Sequence, residues 1–264
     1  MLLKTLNSGA SGMRAHQIKL DVIGNNVANV NTTSFKKSRV NFAEMVRQAV
    51  GDEGVPTTNN PRPEEGSGVR MVSIARMMDQ GNLIHTGREL DLAIEGEGFF
   101  KVVPIDGDSD QEYYTRDSTF YINNEGLVVN SQGYQLDEGI TLDTTEYKSF
   151  AVDENGTIWG VPADSTGSRE EVGNIQLYTF QAPANLAKKG DNLYMATEAS
   201  GEPEGETPGT EGRGFIRQGY VELSNVDLAT EMIGMIEAQR AYASNAKTIQ
   251  TVDEMWERAN NMRK

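Results

Sequence analysis

Apolar and polar positions divide the chain into two terminal helical stretches and a β-patterned middle. From Leu2 to Asn31, the positions Leu6, Ala10, Met13, Gln17, Leu20, Gly24 and Val27 fall at alternating steps of four and three, the seam spacing of a packed helix. Polar Lys4, Arg14 and Lys19 lie between them. At the other end, Val226 to Lys264, the positions Leu228, Met232, Met235, Gln239, Tyr242, Ala246, Ile249, Asp253 and Trp256 keep the same spacing. Ala229, Ile233, Ile236 and Ala243 sit one position further round, so the stripe is wider than a two-stranded seam needs and predicts more than one neighbour. Ser224, with Asp227 three residues on, predicts a capping box at the start of this helix. At its rise per residue the C-terminal helix would be about 55 Å long. The spacing alone serves equally an antiparallel hairpin within one chain and an interface between copies.

Between the helices the pattern changes twice. Asn25, Asn26, Asn29 and Asn31, followed by Thr32, Thr33 and Ser34, compete for backbone hydrogen bonds and predict the end of the first helix. Residues 36–75 read as a linker and extended arm. Within it the stretch to Gly68 holds Pro56, Pro61 and Pro63 and is too polar to fold alone. Strands begin near Val69. Leu90, Leu92 and Ile94 alternate with Asp91, Ala93 and Glu95, and Phe99, Phe100, Val102 and Val103 follow the Gly96-Glu97-Gly98 break. Phe120 to Val128 and Phe150 to Ile158 echo each other, each with two β-rich arms around a polar turn ending in Gly126 or Gly156. That is the pattern of hairpins whose last turn residue takes positive φ. The predicted class is α+β, with long N- and C-terminal helices packed as a coiled-coil-like pair (residues 1–35 and 225–264). A central antiparallel β-rich domain spans residues 76–224.

Charge follows the same division. Of the formal net charge of -15, residues 49–224 carry -19, while residues 1–48 carry +5. An acidic central body makes nucleic acid an unsuitable partner. The Lys36, Lys37, Arg39 cluster lacks interleaved aromatics and reads as a solvated turn rather than a phosphate patch. No run approaches a membrane span, and the first residues lack an apolar h-region, so neither membrane insertion nor a cleaved signal peptide is expected.

Catalytic parts are scarce. With no cysteine, disulfides, thiolate nucleophiles and thiolate-held zinc are all excluded. His16 and His85 are the only histidines, and neither stands in a triad or ligand motif. Gly96-Glu97-Gly98 lacks the third glycine of a dinucleotide fingerprint. Asp106, Asp108, Asp110 and Glu112 begin like a calcium loop but have Gln111 at its glycine position, so an acidic hairpin tip is the better account. No catalytic residue, cofactor or metal is expected. A reading from another class, a secreted cell-wall hydrolase or carbohydrate-binding β-module, rests on the acids together with Tyr113, Tyr114, Tyr134 and Trp159. The usual use of such rings in strands is packing.

The same residues carry a resemblance. Ser11-Gly12-Met13 and the run from Asp21 through Asn25, Asn26, Asn29, Asn31 and Phe35 to Lys36 are similar to the N-terminal signature of the flagellar rod and hook axial proteins. Gln80 to Leu83, Leu90 to Phe100 with Gly96, Gly98 and Phe99, and Tyr114 to Asp117 resemble that family's central motifs. Gln218 to Asp227, and Gln239-Arg240-Ala241-Tyr242 with Asn245 and Lys247, resemble its C-terminal signature. Chain length and the extra segment Val46 to Gly68 resemble the distal-rod branch, with the proximal-rod branch second. This sequence has Gly24 where the family usually has Ala, and Ser34 and Ser118 where it has Gly.

The resemblance implies a non-enzymatic axial subunit that self-associates into a stiff helical rod through its terminal helices. The implied interface is Leu6, Ala10, Met13, Leu20, Val27, Leu228, Met232, Ile233, Met235, Ile236, Tyr242, Ala246, Ile249 and Trp256. It further implies proximal rod and hook proteins as neighbours, surrounding outer rings, and passage through the flagellar type III export apparatus to the basal body.

Overall fold

The computed structural model describes residues 2–46, 66–105, 111–136, 140–142, 146–162, 169–210 and 212–262. They form two compact units: residues 1–28, 38–77 and 227–264 make the helical unit, and residues 29–37 and 78–226 make the β-rich unit.

In the helical unit, α1 (Leu2–Ala28) and α2 (Leu228–Asn261) run antiparallel, since Gly9 faces Ile249, Gly12 faces Asn245 and Ile23 faces Gly234. Small residues allow this approach. A Cβ on Gly9 would lie 3.0 Å from the Ile249 side chain, and one on Gly12 would lie 2.6 Å from the Asn245 amide. Among the described residues of α2, Ala238 and Val252 are the buried ones. The line through Gly234, Ala238, Asn245, Ile249 and Val252 is thus turned by about one position from the Leu228 to Trp256 stripe that size and apolarity pick out. Gly24 does not take part in the close approach, since nothing lies within 4 Å of a Cβ there.

The start of α2 also differs from expectation. Asp227 is the N-cap, accepting from the Ala229 amide at 3.0 Å and from the Thr230 hydroxyl at 2.8 Å. Ser224 instead accepts from the Val226 amide before the helix begins. Helix α1 stops at Ala28, after which the Thr32 amide and hydroxyl both bond Asn29, the local competition expected of this polar run.

The segment expected as linker contains a strand. β1 (Ser38–Val46) pairs antiparallel with β2 (Gly66–Arg76), Ser38 opposite Arg76 and Val40 opposite Ile74, with irregularities after Asn41 and Glu44. Asn26, 1% exposed, holds the start of this ribbon. Its amide donates to the Ser38 carbonyl (2.9 Å), its oxygen accepts from the Ser38 amide (3.0 Å), and the same amide reaches Glu231 of α2 (3.3 Å). Pro56, Pro61 and Pro63 lie outside the described residues, as do Asp106, Asp108 and Asp110.

The β-rich unit centres on a seven-stranded antiparallel sheet. Its order is Ala187–Gly190, Leu193–Met195, Tyr113–Thr115, Phe100–Pro104, Tyr134–Leu136, Val128–Asn130, Phe120–Ile122. A three-stranded sheet follows from Tyr147–Val152, Thr157–Pro162 and Glu170–Asn174. Both echoed segments are hairpins, with Gly126 at φ 80° and Gly156 at φ 86°. In the first, Asn123 accepts from the Glu125 and Leu127 amides, and Asn130 repeats the device in the next turn with Gln132 and Tyr134. Strands from the end of the unit return to its start: Phe215–Gln218 pairs with Leu92–Glu95, and Tyr220–Glu222 with Leu83–His85. The core contains Phe100, Val102, Tyr113, Phe120, Leu177 and Ile216, all at most 1% exposed.

Candidate assembly face and its buried anchor

Pairing through small residues leaves the large ones of α2 outside. Leu228, Met232 and Ile236 succeed one another at steps of four and so form one row. Their exposures are 40%, 51% and 51%, and Ile233 beside them is 60% exposed. Ala229 and Ala243 are exposed on the same side. Further along, that side carries Lys247, Gln250, Glu254 and Glu257. The bare apolar face therefore runs from Leu228 to Ile236, about two and a half turns of α2, and the row then continues into charge with the exposed Arg240.

The other expected interface residues fall elsewhere. Leu6, Met13, Leu20 and Val27 of α1 are half-buried, and Ala10 is exposed. Met235, Ala246 and Ile249 are half-buried, Ile249 against Gly9. Tyr242 is exposed, and Trp256 is exposed four residues beyond Val252 on the line facing α1.

The motif residues separate by role. Asn25 and Asn31 are exposed, whereas Asn26 is the clamp described above and Asn29 closes the turn after α1. Phe35 is buried, with the Lys188 ammonium 5.2 Å from its ring. Gly96 has φ 115°, and a Cβ there would sit 2.8 Å from the Gly214 Cα, so only glycine lets those backbones meet. Gly98, Phe99 and Phe100 continue into two cores, Phe100 in the main one and Phe99 in a smaller aromatic cluster with Tyr114 and Tyr194. Gln239 and Arg240 are exposed and Ala241 is half-buried. Val46 ends β1, and Gly68 lies against Ser11, whose hydroxyl accepts from the Val69 amide.

Residue-type reasoning missed a buried ionic anchor in the β-rich unit. Lys36 is not on a solvated turn: it is 3% exposed, with its ammonium 2.6 Å from Glu222 Oε1 and 2.8 Å from the Asp79 carbonyl. The other carboxylate oxygen of Glu222 takes Arg116 Nε at 3.1 Å, and Arg116 also donates to the Gly96 carbonyl at 2.8 Å. The Gly81 amide donates to Oε1 as well, at 2.8 Å. Burial pushes the Lys36 ammonium below the usual lysine range, the Arg116 charge adds to this, and Glu222 opposes both.

Ser34 closes the same corner. Its amide donates to the Glu222 carbonyl at 2.8 Å and its hydroxyl to the Arg116 carbonyl at 2.6 Å, with φ at 55°. The strained option at this missing glycine is therefore the one adopted. Ser118 is buried and accepts from the Glu222 amide. Three separate motifs thus meet on one carboxylate. The only advance signal was that Lys36, Arg116 and Glu222 each belonged to a motif.

Among the described residues, no group of three His, Cys, Asp or Glu could hold a metal. No described helix is long and apolar enough to cross a membrane. Tyr113 and Tyr114, two rings of the carbohydrate-platform reading, are 1% exposed and pack in the cores, so they present no face to a sugar.

An amphipathic helix with large residues exposed, and a β-rich unit locked by internal ion pairs, are the features of a structural protein. Family models match three stretches of the chain. One described as flagella basal body rod protein covers residues 6–36. One described as flagellar hook protein FlgE/F/G D1 domain covers residues 93–160, and one described as flagellar basal body rod FlgEFG protein C-terminal covers residues 217–262. The chain is 40% identical to the flagellar basal-body rod protein FlgG of Borreliella burgdorferi and 38% identical to that of Bacillus subtilis, over the full length of both partners in each case. It is 35% identical to FlgG of Caulobacter vibrioides over 99% of this chain and all of that one. The chain belongs to the flagellar basal-body rod protein family, a family of structural proteins rather than enzymes.

Proposed function

We propose that this chain is the distal-rod subunit of the bacterial flagellum, polymerising through its terminal helices into a stiff helical shaft that carries torque from motor to hook. The observation that carries this reading is the bare row Leu228, Met232 and Ile236 with Ile233, in a chain alignable from end to end with FlgG proteins. An apolar face of this kind gains from burial against a neighbour, each large side chain by about 1.5–3 kcal/mol. In the polymer the terminal helices form a coiled-coil-like inner tube. Copies of the chain are the main partners, with proximal rod and hook proteins at the two ends, outer rings around the shaft, and the type III apparatus delivering an uncleaved chain to the periplasmic or cell-wall zone.

Electron microscopy of the concentrated protein tests the proposal. The wild-type chain forms straight tubes or rods. The Ile236→Asp chain stays dispersed with its β-rich unit folded, because the substitution would bury a charge in the interface without touching the sheet. Rods formed by Ile236→Asp at wild-type yield would refute the assignment of this face.

A further inference from the structure

We infer that Met232 is an oxidation-sensitive site whose conversion to methionine sulfoxide prevents the free subunit from self-associating. The inference rests on the assembly face proposed above. The chain has eleven methionines and no cysteine, so thioethers are its only sulfur groups open to mild oxidants. Met232 stands in the middle of the apolar row, four residues after Leu228 and four before Ile236, and is 51% exposed. Met235, on the next turn, is half-buried. Met255 and Met262 are as exposed or more so, but lie beyond the point where the apolar side gives way to charge.

The oxidant is hydrogen peroxide. The sulfur lone pair attacks one peroxide oxygen, an S–O bond forms and the O–O bond breaks. The departing hydroxide takes up the proton left on the transferred oxygen, giving one sulfoxide and one water. Sulfur loses two electrons and peroxide gains them. The product places a strongly polar S=O group in the centre of a surface that must shed water to dock, flanked at steps of four by Leu228 and Ile236, which have no donor side chain. Once a neighbouring copy covers the row, the sulfur is shielded, so peroxide marks free subunits and spares assembled ones.

The test treats the full-length chain with hydrogen peroxide before or after assembly, maps sulfoxides by peptide mass spectrometry and measures rods by sedimentation. Met232 sulfoxide is expected in the dilute chain and suppressed in preformed rods. The concentration needed for assembly of the treated chain should rise about tenfold or more, and methionine sulfoxide reductases should restore it. Met232→Leu keeps the volume and apolarity of the site and should assemble normally after the same treatment. Assembly unchanged at full Met232 oxidation, or lost equally in treated Met232→Leu, overturns the inference. If that happens while Ile236→Asp still fails to assemble, the assembly face stands. If Ile236→Asp also assembles normally, the face itself is wrong.

Discussion

Replacing Glu222 by glutamine tests the buried anchor with almost no change of shape. Glu222 is 0% exposed and answers two cations, Lys36 at 2.6 Å and Arg116 at 3.1 Å, which are themselves 3% and 4% exposed. The amide removes the negative charge and turns an N–H₂ toward one of them, leaving two buried positive groups without an anion. Removing one partner of a buried ion pair costs about 3–5 kcal/mol, a large share of the roughly 5–15 kcal/mol that holds a typical domain folded. Lys36→Met should cost less, about 1–2 kcal/mol. It leaves Glu222 bonded to Arg116 and the Gly81 amide, and the Asp79 carbonyl still accepts from Asn225 at 2.9 Å. Denaturant unfolding can be followed by Trp159 fluorescence in a Trp256→Phe background, since these are the only two tryptophans. A loss under 1 kcal/mol for Glu222→Gln, or a larger loss for Lys36→Met than for Glu222→Gln, would refute the account of the anchor as charge compensation around one carboxylate.

Three further outcomes are expected. Gly24→Ala should stabilise the helical unit by about 0.5–1 kcal/mol in thermal unfolding followed by circular dichroism, since α1 gains a better helix former where a Cβ meets nothing within 4 Å; a destabilised variant would contradict the open space found there. Ser34→Ala should cost about 1–2 kcal/mol, because it keeps the left-handed φ of 55° and loses the hydroxyl bond to Arg116, while Ser34→Gly should lie near neutral, relieving the backbone as it loses that bond. Burial, and then Lys19, hold the His16 imidazole below its ordinary value of 6.5, and its buried Nδ1 has no hydrogen-bond partner among the described residues. The unfolded chain therefore binds the proton more readily. The contribution of neutral His16 to stability is complete above the unfolded value and is lost as pH falls through the lower folded one. His16→Gln should flatten that part of the stability profile between pH 7.5 and 5, and an unchanged slope would count against it.

The large-scale plan was legible because it is written in spacing, either a helical period or a glycine that ends a polar turn. The two terminal stripes and the Gly126 and Gly156 hairpins are of this kind. A packed pair of terminal helices was expected, but its closest contacts were not, because they fall at Gly9, Gly12 and Gly234, whose value lies in side chains they lack. Size and apolarity pick out a stripe about one position away, which still shares Ile249 with the pairing line. β1 was hidden for a related reason: Ser38 to Val46 mixes Arg, Asn and Glu among its apolar residues, and its start is held by Asn26 from a distant part of the chain. The anchor was hidden by base rate. A lysine beside another lysine normally faces water, and only the convergence of three sequence-distant segments takes Lys36 out of it.

The sequence posed a choice between helices that seal one chain and helices that join many, and the geometry removes the need to choose. One line of α2, through Gly234, Ala238, Ile249 and Val252, faces α1. Another, through Leu228, Met232 and Ile236, faces outward and keeps its large side chains. The first line is small at Gly234 and Ala238, beside the exposed row, and large only further along at Ile249 and Val252. Leu228, Met232, Ile233 and Ile236 remain 40–60% exposed. Association need not break the pair, since the two faces do not compete for the same side chains. On the function proposed above, a subunit of this design holds its helices together before assembly and keeps the exposed row for joining a polymer.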